Sequence, residues 1–121
     1  MSDTLTVLPP NTPVADILDA AADAMALRGK CVGDYTDDQG QVCALGALRL
    51  VLTGRADPEP VAAEDRDRQV AYLDATRTLR QYLEAVDVDA PAVYEWSDDH
   101  PQAEVVAGMR AAAERARTVQ Q

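Results

Sequence analysis

Apolar residues recur along this chain at helical rather than strand spacing. Val14, Ile17, Leu18, Ala21, Ala24 and Met25 share one helical face, while Asp16, Asp19 and Asp23 fall on the opposite one. Thr12 ahead of Pro13 predicts an N-cap followed by proline at the first helical position. Gly29 after Arg28 predicts the stop, with the basic side chain at the negative end of the helix dipole. A first helix is therefore predicted over about Pro13 to Arg28. The stretch from Cys43 to Leu52 is apolar on every side except at Arg49. A helix of that kind must be enclosed by other elements, and about ten residues are too few to span a bilayer. It is predicted to be the central helix, ended by Thr53-Gly54. Gly46 lies inside it, where glycine costs about 1 kcal/mol against alanine. That glycine marks the close approach of a neighbouring helix or of the Trp96 ring.

Between these two helices, Lys30 to Tyr35 and Gln41-Val42 flank the turn-rich Thr36-Asp37-Asp38-Gln39-Gly40, which predicts a short hairpin. Ala62 to Val86 carries a long helical pattern with Gln69, Tyr72, Leu73, Thr76, Leu79, Leu83 and Val86 inward, and Asp74 spaced to meet Arg77 outside. Ala92 to Trp96 is short, apolar and aromatic, and is predicted to lie extended across the helices. Asp99 with Gln102 resembles a capping box that opens a last helix with Val105, Val106, Met109, Ala112, Ala113 and Ala116 inward, closed by Arg115 and Arg117. The fold class predicted is mainly α: a compact single domain of about four helices around a central apolar helix, with one short β-hairpin. Residues 12–119 form the domain, behind a flexible leader over residues 1–11.

Composition agrees with helices, since the core must be built from aliphatic residues and close-packed alanine: the chain has no Phe, one Trp and four Tyr. The net charge of −10 repels nucleic acid phosphates. No direct nucleic acid binding is expected, whereas a basic partner, even one that itself holds DNA, is compatible with that charge. Met1 to Pro10 lacks the basic start and apolar run of a signal peptide, and no stretch has transmembrane length, so a cytoplasmic location without membrane contact is expected. Cys31 and Cys43 are then expected to be packed, reduced thiols.

Several segments together, Arg28 to Gly33, Val42 to Leu48 and Trp96-Ser97-Asp98 ahead of Glu104-Val105-Val106, resemble a small family of unknown function from actinobacteria and their bacteriophages. The resemblance spans about Val14 to Ala116, and Cys-Ala-Leu-Gly-Ala-Leu at Cys43 to Leu48 is its most specific part. The chain departs from that pattern at Lys30, where the family often has Trp, and at Ser97, where it often has Asn. The resemblance implies a phage or actinobacterial origin, which the preference for Arg over the single lysine, Lys30, also fits. It implies no activity.

Candidate chemistry is sparse. Cys31, Cys43 and His100 fall one short of a structural zinc set, and Asp34, Asp37, Asp38 and Gly40 fail calcium-loop spacing because Leu45 stands where a bidentate Glu is needed. No metal and no cofactor are expected. His100 is the only histidine, set among Asp98, Asp99 and Pro101, so no catalytic residue is expected either. The reading reached is a non-enzymatic interaction module that modulates a host protein. The alternatives are a small thiol-dependent enzyme using Cys31 or Cys43, and an acidic mimic of nucleic acid. The expected partner surface holds Glu84, Asp87, Asp89, Tyr94, Glu95, Trp96, Asp98 and Asp99, in a run without lysine or arginine that combines aromatics with carboxylates.

Overall fold

A computed structural model describes residues 7–56 and 65–119, and among these it contains five helices and no extended strand pairing. They are α1 (Val14–Arg28), α2 (Ala44–Thr53), α3 (Arg66–Val86), α4 (Val93–Asp99) and α5 (Gln102–Val119). Helix α2 is the enclosed element, with Ala44, Gly46, Ala47, Leu48, Arg49, Leu50, Val51 and Leu52 all buried. Ile17, Leu18, Ala21 and Met25 of α1, Tyr72, Leu79 and Leu83 of α3, and Val105, Met109 and Ala112 of α5 complete the core. The most extensive interface joins α1 to α5. It is flanked by ion pairs: Arg117 meets Asp16 at 2.9 Å and Asp19 at 2.7 Å, and Arg110 meets Asp23 at 2.9 Å. The aspartates that the pattern placed opposite the core thus border a helix interface, and Arg117, in the last turn of α5 as expected, also pairs with α1. Asp74 and Arg77 meet at 3.4 Å on the α3 surface.

Several expectations are corrected. The segment predicted to be extended is helix α4, because Val93, Trp96 and Ser97 are all buried and only helical spacing puts i, i+3 and i+4 on one side. That makes five helices rather than about four. The predicted hairpin reduces to two isolated bridges, Lys30 with Val42 and Thr36 with Val42. Val42 is shared: its N–H donates to the Gly29 carbonyl and its carbonyl accepts from Cys31 N–H, while on its other side Cys43 N–H to the Tyr35 carbonyl and Asp37 N–H to the Gln41 carbonyl frame the single antiparallel bridge to Thr36. The N-cap of α1 is Pro13 rather than Thr12, whose hydroxyl donates instead to the Pro9 carbonyl at 2.6 Å. The Asp99–Gln102 capping box is absent. Gln102 Oε1 accepts from Lys30 N–H at 3.1 Å, and Asp99 belongs to α4.

The third helix is described from Arg66; Ala62 to Glu64, where its start was predicted, lie outside the described residues. Its inner face is rotated from the predicted one. Ala71 and Ala75 face inward, while Leu73 is 48% and Val86 64% exposed. Burial on α3 falls to small alanines as well as large side chains, as close helix packing allows. Of the predicted leader, residues 1–6 lie outside the described residues, but Leu8 is docked. Its N–H donates to Val51 at 2.8 Å and its carbonyl accepts from Arg68 at 2.7 Å. No described helix is long and apolar enough to cross a membrane.

Candidate functional site

The start of α2 organises a cleft. Cys43 is its N-cap, its sulfur accepting from Gly46 N–H at 3.4 Å, and the buried Ser97 Oγ of α4 accepts from Ala44 N–H at 3.1 Å. Lys30 Nζ donates to the Ser97 carbonyl at 2.7 Å, so the two positions that depart from the resembled family pattern touch one another. Cys43 N–H donates to the Tyr35 carbonyl at 3.1 Å, which draws the loop before α2 down onto its first turn. Gly46 permits this, because a Cβ there would lie on that same carbonyl oxygen. Its close approach is therefore to the Tyr35 backbone, not to a helix or to Trp96 as expected. Tyr35 also shares a side-chain hydrogen bond with Tyr72 of α3, and the buried Arg49 guanidinium lies 5.1 Å from the centre of the Tyr72 ring.

What results is a cleft of about 440 Å³ lined by Gly33, Asp34, Tyr35, Cys43, Leu45, Tyr94 and Asp98. Asp98 Oδ1 accepts from Gly33 N–H at 3.1 Å, and Asp34 Oδ1 accepts from Tyr35 N–H at 2.8 Å. Both cysteines are buried and unbridged. Burial pushes the Cys31 thiol up to about 11, with Cys43, Asp37 and Asp34 adding to the effect. Burial also raises Cys43, outweighing the N–H groups of Gly46 and Leu45, with Asp98 acting in the same direction as burial. Both groups are therefore protonated near neutrality, a poor state for nucleophilic attack.

This has a consequence for stability. The unfolded thiol ionises near 9 and the folded Cys31 thiol only near 11, so the folded state holds its proton longer. Stability from this group is complete below pH 9 and is lost as pH rises from about 9 to about 11. Urea denaturation across that window is expected to show falling stability, and Cys31→Ala is expected to flatten the fall.

The residues expected from sequence to form one partner surface are divided. Tyr94 is 56% exposed and stands with Asp98 at the cleft. Glu95 and Asp99 are exposed elsewhere on α4, and Asp87 and Asp89 are exposed beyond α3, where Asp87 Oδ1 accepts from Asp89 N–H at 3.0 Å. Glu84 pairs with Arg80 at 3.2 Å, from just outside the acidic run. Trp96 is corrected: it is 8% exposed and packs against Gly108 of α5, so it is a core residue and no surface anchor. With few aromatics in the chain, the core takes the largest.

His100 lies on the Trp96 side of α4. Its Nδ1 is 2.8 Å from the Trp96 carbonyl oxygen, its ring lies 6.1 Å from the indole, and it lines a second groove with Tyr82, Val86 and Glu104. Cys43 and His100 thus line different depressions. Among the described residues, no three metal-ligating side chains cluster. The sequence reading missed Asp34, Tyr35 and Leu45 as site residues. The one signal that pointed toward them was Gly46, a helical glycine requiring some neighbour at close range.

No curated protein and no solved structure matches the chain. Residues 9–115 match a family of unknown function, DUF6197, and the chain belongs to that family.

Proposed function

We propose that the protein is a non-enzymatic interaction module that binds a basic partner protein, as an accessory factor of an actinobacterium or its phage acting in the host cytoplasm. The observation that supports this best is the exposed apolar and acidic surface at the end of α3. Val86 and Val88 are exposed there, Val88 by 88%, alternating along the chain with the exposed Asp87 and Asp89. Exposed apolar area beside exposed carboxylates suits a partner that brings both apolar contact and positive charge. The protonated thiols favour this reading over a thiol-dependent enzyme.

The test begins with a partner recovered from host lysate and proceeds to association kinetics. Association is expected to slow as salt rises, since exposed charges more than about 10 Å apart are largely screened near 0.1 M. The combined variant Asp87→Asn, Asp89→Asn, Asp98→Asn and Asp99→Asn is expected to lower the association rate more than it raises the dissociation rate. Asn at position 98 retains an acceptor for Gly33 N–H, so the cleft wall is preserved. Binding insensitive both to salt and to these substitutions would show the carboxylates to be a solvated face only.

A further inference from the structure

We propose that the cleft at the start of α2 is the receptor for a single arginine side chain of the basic partner, an assignment that rests on the interaction reading above. Two carboxylates reach this cleft from separate parts of the chain, Asp34 from the loop before α2 and Asp98 from α4. Each has one oxygen engaged by a backbone N–H, that of Tyr35 or of Gly33, which fixes its position and leaves a second oxygen for a ligand. The remaining lining is Tyr35, Tyr94 and Leu45, with the Cys43 thiol. Acid at fixed positions beside aromatic and aliphatic surface matches a planar cation on an apolar stem. A guanidinium offers five N–H donors in a rigid fork and stacks on aromatic rings, whereas an ammonium is a compact, strongly hydrated charge.

The helix terminus itself does not oppose this. An unoccupied N-terminus would carry about half a positive charge. Here the N–H of Ala44 is given to Ser97, and that of Gly46 to the Cys43 sulfur. The acidic groups among the cleft's lining residues are the carboxylates of Asp34 and Asp98, and among the described residues no basic side chain lines it, which disfavours a phosphate or carboxylate ligand. The size is adequate, since about 440 Å³ lies within the roughly 300–1,000 Å³ usual for small-ligand sites.

Titration of the isotopically labelled full chain with N-acetylarginine amide, monitored by amide resonances, tests the assignment. Saturable shifts are expected at Gly33, Asp34, Tyr35 and Leu45. Binding of the citrulline amide, which has the same shape without the charge, is expected to be weaker by about tenfold or more, the value of a lost charge-assisted hydrogen-bond pair. The combination Asp34→Asn with Asp98→Asn is expected to abolish the shifts, and Tyr94→Ala to weaken binding while the spectrum remains dispersed. Equal binding of the citrulline or the lysine derivative, or shifts scattered over Asp87 and Asp89 without saturation at the cleft, would overturn the proposal. Its failure is separable from that of the wider reading. A partner whose association stays salt-dependent but is unaffected by Asp34→Asn and Tyr94→Ala refutes the arginine cleft alone.

Discussion

Gly46→Ala is expected to destabilise the protein by about 3 kcal/mol, the upper end of the range for inserting a methyl group into a packed site. The reason is the kind of atom it meets. An added Cβ would coincide with the Tyr35 carbonyl, which is backbone and cannot rotate aside as a side chain could. That oxygen also accepts from Cys43 N–H, so displacing it breaks a hydrogen bond worth about 1 kcal/mol at the first turn of the central helix. Against this stands the intrinsic preference of a helix for alanine, about 1 kcal/mol in favour of the variant. Sterics outweigh propensity, and urea denaturation should give a lower midpoint with an unchanged slope. Gly33→Ala provides the comparison. Its φ of +84° disfavours a side chain by roughly 1–2 kcal/mol, but no atom lies within 4 Å of the added methyl. A Gly46→Ala effect no larger than that of Gly33→Ala would refute the close approach to Tyr35.

Trp96 and Gly108 should prove strongly coupled. Trp96→Ala is expected to cost about 3–5 kcal/mol, as for other buried tryptophans. A Cβ on Gly108 would lie 2.5 Å from Trp96 Cζ2 and 2.9 Å from Cη2, at the edge of a ring held between α4 and α5. Gly108→Ala should therefore destabilise the natural chain by about 1–2 kcal/mol through overpacking. With Trp96 already replaced by alanine, the obstacle is gone and helix propensity remains, so the same substitution should be neutral or stabilising by up to about 1 kcal/mol. The thermodynamic cycle, followed by circular dichroism because the only tryptophan is lost, should give a coupling above about 1 kcal/mol. Additive effects would mean that Gly108 is not shaped to the indole.

Which of these contacts could be read in advance depends on their range along the chain. Helices α1 and α5 follow from apolar periodicity and α2 from an apolar run without a polar face, since each signal lies within one segment, and Gly29 and Gly54 end α1 and α2 where the sequence predicts. Helix α4 was not legible: seven residues are too few for periodicity to separate helix from strand, and aromatic content favoured the strand. The hairpin failed for a different reason. Turn chemistry at Asp37 and Gly40 is present, with Gly40 N–H donating to the Asp37 carbonyl, but the partner of Val42 on its other side is the end of α1. The cleft was half legible. Asp98 and Tyr94 belonged to a recognisable acidic and aromatic run, whereas Asp34 and Tyr35 join them only through contacts to α2 and α4 that no local pattern encodes.

The ion pairs between the first and last helices also fix how those helices run relative to one another. Arg117, near the close of α5, holds Asp16, in the opening turn of α1, while Arg110, a further two turns back, holds Asp23. The two helices are thus antiparallel, and the opening turn of α1 lies beside the closing turns of α5. Asp16 and Arg117 stand 101 positions apart, so this seam forms only once nearly all of the chain between them has been gathered, and closing so long a loop costs conformational entropy before any contact rewards it.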